Sequence, residues 1–163
     1  MIALDADLLA YAVNRYAPEH ARAAAVVEHL VNGDRPWALP WPAIHRALDV
    51  LTHPHATVRP LRPSEAWGFL GLVASSATVR LLGPTERHAQ ALVEVLGGVA
   101  GEHGLPPGLE TAVVLREHGI RELLTTDPGM RRYAFLTVID PVHAPGWTPG
   151  MPPPRRYRVL RGR

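Results

Sequence analysis

Two aspartates, Asp5 and Asp7, stand near the N-terminus, and a third, Asp127, follows Thr125-Thr126 late in the chain. With nine histidines available, Asp5 and Asp7 permit general acid/base chemistry. Simpler readings stand beside it. Asp5, shortly before Leu8-Leu9, is well placed to cap a helix by accepting backbone N–H bonds. Asp127 before Pro128-Gly129 suits a turn. Other chemistries fall away. There is no Gly-x-Ser-x-Gly nucleophile motif, so acyl transfer is not expected. Every one of the 17 basic residues is arginine, which excludes a phosphate-binding loop built on lysine. No cysteine is present, so there is no disulfide, thiolate zinc site or cysteine nucleophile, and a reducing compartment is favoured. His45, His53 and His55 invite a zinc site, but a helix end separates the first from the other two; they read as a helix-face residue and two loop residues.

The elements that must position these side chains follow from apolar periodicity and breakers. Strands are expected at Met1 to Leu4, Trp37 to Leu39, Val79 to Leu82, Glu122 to Thr126 and Leu136 to Ile139. Helices are expected over the Leu8-Leu9-Ala12-Val13 stripe, from Pro18 to about Val31, Ala43 to Leu51, Pro63 to Val73, Pro84 to the glycines 97 and 98, and Leu109 to His118, with Gly119 as the cap. Strands alternating with helices imply an α/β fold of three layers, α/β/α, with a central, mostly parallel sheet joined by right-handed crossovers. Asp5 then lies at the C-terminal end of the first strand, the edge where open parallel sheets carry ligands. At 163 residues the chain suits one domain, 1–141, followed by a Pro/Arg-rich tail, 142–163. Trp37, Trp41 and Trp67 sit in apolar contexts and read as core or oligomer contacts rather than platforms for RNA bases.

The formal net charge is +2 and the pI about 9.5, compatible with a polyanionic partner, yet Arg155, Arg156, Arg158, Arg161 and Arg163 place much of the excess in a solvated tail. The start of the chain lacks the basic flank of a secretory signal, and the longest uncharged run, Trp67 to Val79, is too short to span a bilayer. A cytoplasmic protein without a membrane association is expected.

Several stretches together resemble the PIN-domain ribonucleases of the VapC toxin type: Met1-Ile2-Ala3-Leu4-Asp5, Leu39-Pro40-Trp41-Pro42, Leu51-Thr52-His53-Pro54, Arg116-Glu117-His118-Gly119 and Leu124-Thr125-Thr126-Asp127. The resemblance implies a metal-dependent endoribonuclease in which converging carboxylates hold Mg²⁺ or Mn²⁺, a hard ion that stabilises charge as water attacks a phosphodiester. It makes Asp5 and Asp127 metal ligands, Asp7 an added acid near them, and Thr125 the hydroxyl residue beside Asp127. Three positions depart from the pattern: Arg46 replaces a Glu, and Gly108 and Gly129 each replace an Asp. Asp49, one turn beyond Arg46, is the better compensating acid, whereas Glu110 is expected to point away from Gly108. For Arg46 two readings stay open: a guanidinium that replaces the ion by bridging Asp5 and Asp127, or a side chain extended to solvent.

Two functions are therefore expected. One is a VapC-like endoribonuclease with impaired or lost activity, silenced by a small antitoxin protein. The other is an inactive PIN scaffold that binds RNA or a protein partner. A homodimer through the Trp-rich helices is a further expectation.

Overall fold

Ile2–Leu4 forms strand β1, whose side chains alternate between two faces: Leu4 points into one apolar cluster and Ala3 into another. The computed structural model, which describes residues 1–99 and 104–144, repeats this alternation across the sheet. Strand β2 (Trp37–Pro40) sends Trp37 and Leu39 to Leu4's side and Ala38 to the other; β4 (Glu122–Leu124) sends Leu124 and Leu123 to opposite sides in the same way. β3 (Val79–Leu82) and β5 (Thr137–Ile139) are the edges. The order is β3-β2-β1-β4-β5, and every pairing is parallel, with Ala3 opposite Ala38 and Leu123.

Helices cover both faces because each face presents buried apolar side chains. On the Leu4 side lie α1 (Ala6–Val13), α2 (His20–Asn32), α3 (Trp41–Thr52) and α4 (Pro63–Ala74), contributing Leu8, Val27, Ile44 and Leu70 to one core. On the Ala3 side lie α5 (His88–Gly98) and α6 (Leu109–Glu117), with Val95, Val113 and Leu115. The small residues Ala3 and Ala38 allow this second layer to approach the sheet closely. The three-layer α/β/α expectation is met.

The chain winds from β1 outward to β2 and β3, then returns to β4 and β5 on the other side of β1. The crossover direction therefore reverses between β1 and β4, and the crevice beyond their C-terminal ends is where ligands enter such sheets. Boundaries differ from expectation in two informative places. β4 stops at Leu124, because Thr126 donates its backbone N–H to Asp7 rather than to a strand. α5 starts at His88 rather than Pro84, because Thr85 is held by Glu117. After Asp127 the expected turn is a 3₁₀ segment, Pro128–Arg132. Of the tail expected from 142, residues 145–163, including Trp147 and the five arginines, lie outside the described residues.

Candidate functional site

Asp5 follows β1 and caps α1: its Oδ1 accepts the Ala6 N–H at 2.8 Å, while its own N–H donates to the Leu124 carbonyl of β4 at 3.1 Å. The capping reading of Asp5 is thus a structural fact, and it seats the carboxyl at the β1/β4 crevice. Burial first, and then the neighbouring Asp7 carboxylate, push Asp5 up to about 7; the Ala6 N–H and the Thr125 hydroxyl oppose this without reversing it, and Asp127 adds to it.

Asp7, in the first turn of α1, clasps β4. Its Oδ2 accepts from the Thr125 hydroxyl at 3.1 Å and from both the N–H and the hydroxyl of Thr126. Its Oδ1 accepts the Leu8 N–H. Thr125 is fully buried, and its hydroxyl oxygen also accepts the Asp127 N–H at 3.1 Å. Asp127 in turn accepts the Gly129 N–H at 2.7 Å. Asp5, Asp7 and Asp127 line one cavity of about 900 Å³, with α3, α5 and α6 as its walls.

The three departures each have a local structural form. Arg46 lies on the cavity rim, but its Nη1 is 3.0 Å from Asp49 Oδ2, with the two side chains 68% and 59% exposed. This corrects the bridging role: a partner one helical turn away on the same face satisfies the guanidinium before it can reach across to Asp5 and Asp127. It also removes Asp49 as a compensating acid. Glu110, expected to point away, lines the cavity instead. Helical spacing from Gly108 does not apply, since Gly108 is the cap before α6 and takes φ +73. A Cβ at Gly108 would collide with the Sδ of buried Met130, and one at Gly129 would stand 2.9 Å from Asp127 Oδ1. A side chain at either glycine would require the Met130 or Asp127 side chain to move aside.

Among the described residues no three His, Asp or Glu side chains are grouped so as to hold a metal ion. Each of the three aspartates already accepts at least one N–H bond. The residues present do not fit the Mg²⁺ or Mn²⁺ site that the resemblance implies.

The histidines set aside for zinc behave as ordinary side chains: His45 packs near Trp41 with ring centroids 5.7 Å apart, and His53 accepts the His55 N–H. Trp37 is buried in the core; Trp41 stacks on Trp67, which is 46% exposed. One pair was not legible beforehand. His88, at the start of α5, lines the cavity, and its Nδ1 lies 2.6 Å from Oε2 of Glu117, whose side chain is 0% exposed. The two residues are 29 positions apart, and no local pattern connects them.

A parallel α/β/α sheet with Asp5, Asp7 and Asp127 around its switch point defines the scaffold, and comparison with known proteins gives it a family. No family model matches the chain. Ribonuclease VapC33 of Mycobacterium tuberculosis is 31% identical over 145 residues, which is 87% of this chain and 99% of the relative. Ribonuclease VapC48 of the same organism is 28% identical over 137 residues, 84% and 94% of the two chains. Two solved structures share the fold. They are M. tuberculosis VapC20, a sarcin-ricin-loop-cleaving toxin (TM-score 0.57, 15% identity, 78% of this chain and 91% of that one), and VapBC2 from Rickettsia felis bound to a promoter DNA fragment (TM-score 0.56, 14% identity, 85% and 98%). This chain belongs to the VapC family.

No helix among the described residues is long and apolar enough to cross a membrane.

Proposed function

We propose that this chain is a VapC-family protein that binds RNA at the β1/β4 crevice and has impaired or lost metal-dependent cleavage. The observation that carries this reading is the state of the carboxylates: Asp7 serves as a clasp, Asp5 is a cap that holds its proton to about 7, and among the described residues no three acids are grouped to share an ion. A hard divalent ion needs several unprotonated oxygens, and two partly committed carboxyls provide too few. Family membership supports RNA as the ligand, since the relatives are named ribonucleases. A small antitoxin protein is the partner that the family resemblance implies. Exposed Trp67, stacked on half-buried Trp41, supports a homodimer through α3 and α4, and light scattering of the purified chain reads its mass directly.

The test is incubation of labelled single-stranded RNA with the protein in Mn²⁺. Salt-dependent binding with full-length RNA recovered is the expected result. Cleavage that chelation abolishes, and that Asp5→Ala removes, would restore the active ribonuclease reading.

A further inference from the structure

The cavity beside the aspartates contains a second arrangement, built on the Ala3 side of the sheet. Glu117, the last residue of α6, is enclosed: its Oε1 accepts the Thr85 N–H at 2.8 Å and the Thr85 hydroxyl at 2.7 Å, and its Oε2 meets His88 Nδ1 at 2.6 Å. Burial works to raise this carboxyl, yet the His88 ring and the two Thr85 donors outweigh it and hold it below the usual glutamate range. An ionised carboxylate can only accept, so Nδ1 carries the proton. In the neutral ring that leaves the lone pair on Nε2, which has no protein partner among the described residues, on a side chain that is 39% exposed and lines the cavity. A purely structural link between α5 and α6 would not require the ring to border open space.

The character of the ligand follows from what else borders the cavity. Asp7, Asp127 and Glu110 disfavour a phosphate among them, which would meet like charge at short range, so a bound strand keeps its phosphates toward the rim and turns a neutral group inward. Arg46, the nearest cation on the rim, is already paired with Asp49. A neutral donor is favoured instead, and an imidazole lone pair beside carboxylate acceptors suits the hydroxyls of a sugar. Apolar Leu92, Leu105 and Pro106 offer a surface for a base, and the volume is within the range of small-ligand sites. We propose that His88, oriented by Glu117, accepts a hydrogen bond from a ribose 2′-hydroxyl, so that this side of the cavity selects RNA over DNA. The proposal rests on the RNA-binding reading above and adds the group that is recognised.

The experiment compares an oligouridylate with the deoxyuridine oligomer of equal length, by fluorescence anisotropy on the full chain in chelator. The expected result is tighter binding of the ribose form, with His88→Phe lowering RNA affinity about tenfold, the size of one hydrogen bond, and leaving DNA affinity unchanged. His88→Asn, which keeps an acceptor, retains part of the preference. In the unsubstituted protein, the Nε2 resonance of His88 shifts on adding the RNA oligomer and not the DNA one, a readout that does not depend on the variants folding. Equal losses for RNA and DNA, no loss for either, or an Nε2 resonance indifferent to RNA would overturn the His88 assignment while leaving RNA binding intact. Failure of the unsubstituted protein to bind RNA would overturn both.

Discussion

Asp7 ties the first turn of α1 to the end of β4, and three donors converge on its Oδ2. Asp7→Ala leaves the Thr126 N–H and two hydroxyls without that acceptor in a half-buried setting, at a cost of roughly 1–3 kcal/mol. Urea denaturation should show it as a lower midpoint. Asp5 acts on stability through its proton. Its folded value of about 7 lies above the ordinary aspartate value of 3.8 that the unfolded chain has, so between those two pH values the folded state holds a proton that the unfolded state has lost. Stability from this group therefore falls as pH rises through that window. Asp5→Asn keeps the cap on Ala6 and removes the titration. Melting in chelator is predicted to give the variant a higher midpoint than the parent at pH 8, with the difference shrinking toward pH 4. A difference that grows on acidification would contradict the assignment.

At the level of elements, α6 begins at a glycine that the sequence comparison marks only as a missing acid. The structure gives it a backbone reason: φ is +73, a region that costs other L-residues about 1–2 kcal/mol, and Met130 fills the space where a side chain would go. Gly108→Asp is thus expected to lower the unfolding free energy by about that amount, read as a lower urea midpoint at unchanged slope, and a neutral outcome would show that the loop relaxes. The order of elements was legible because each strand is a short apolar run and each helix ends at Gly, Pro or a polar cluster. The first turn of α5 and the last residues of β4 were not, since Thr85 and Thr126 are pulled from their local patterns by Glu117 and Asp7, 32 and 119 positions away. The same kind of distance hid the His88–Glu117 pair. For Arg46 the sequence leaves two readings open, and the pair with Asp49, three residues along the same helix, favours the solvent-facing one over the longer reach to Asp5 and Asp127.

Across the whole molecule, a sheet with apolar side chains alternating to two cores fixes where β1 and β4 end, and with them Asp5, Thr125 and Asp127. Leu124 is fully buried on the α1–α3 side, next to this edge. Leu124→Ala should cost about 2–5 kcal/mol and, by loosening the crevice, weaken RNA binding as well. The two effects separate if binding is measured well below the melting temperature. In the proposed function, the family scaffold and its sheet edge are retained while the acids that would share a divalent ion are replaced or committed elsewhere. Calorimetric titration of the purified chain with Mn²⁺ at pH 7.5 tests that most directly. The account predicts no saturable uptake at the sheet edge. Stoichiometric binding that disappears in Asp5→Asn or Asp127→Asn would contradict it.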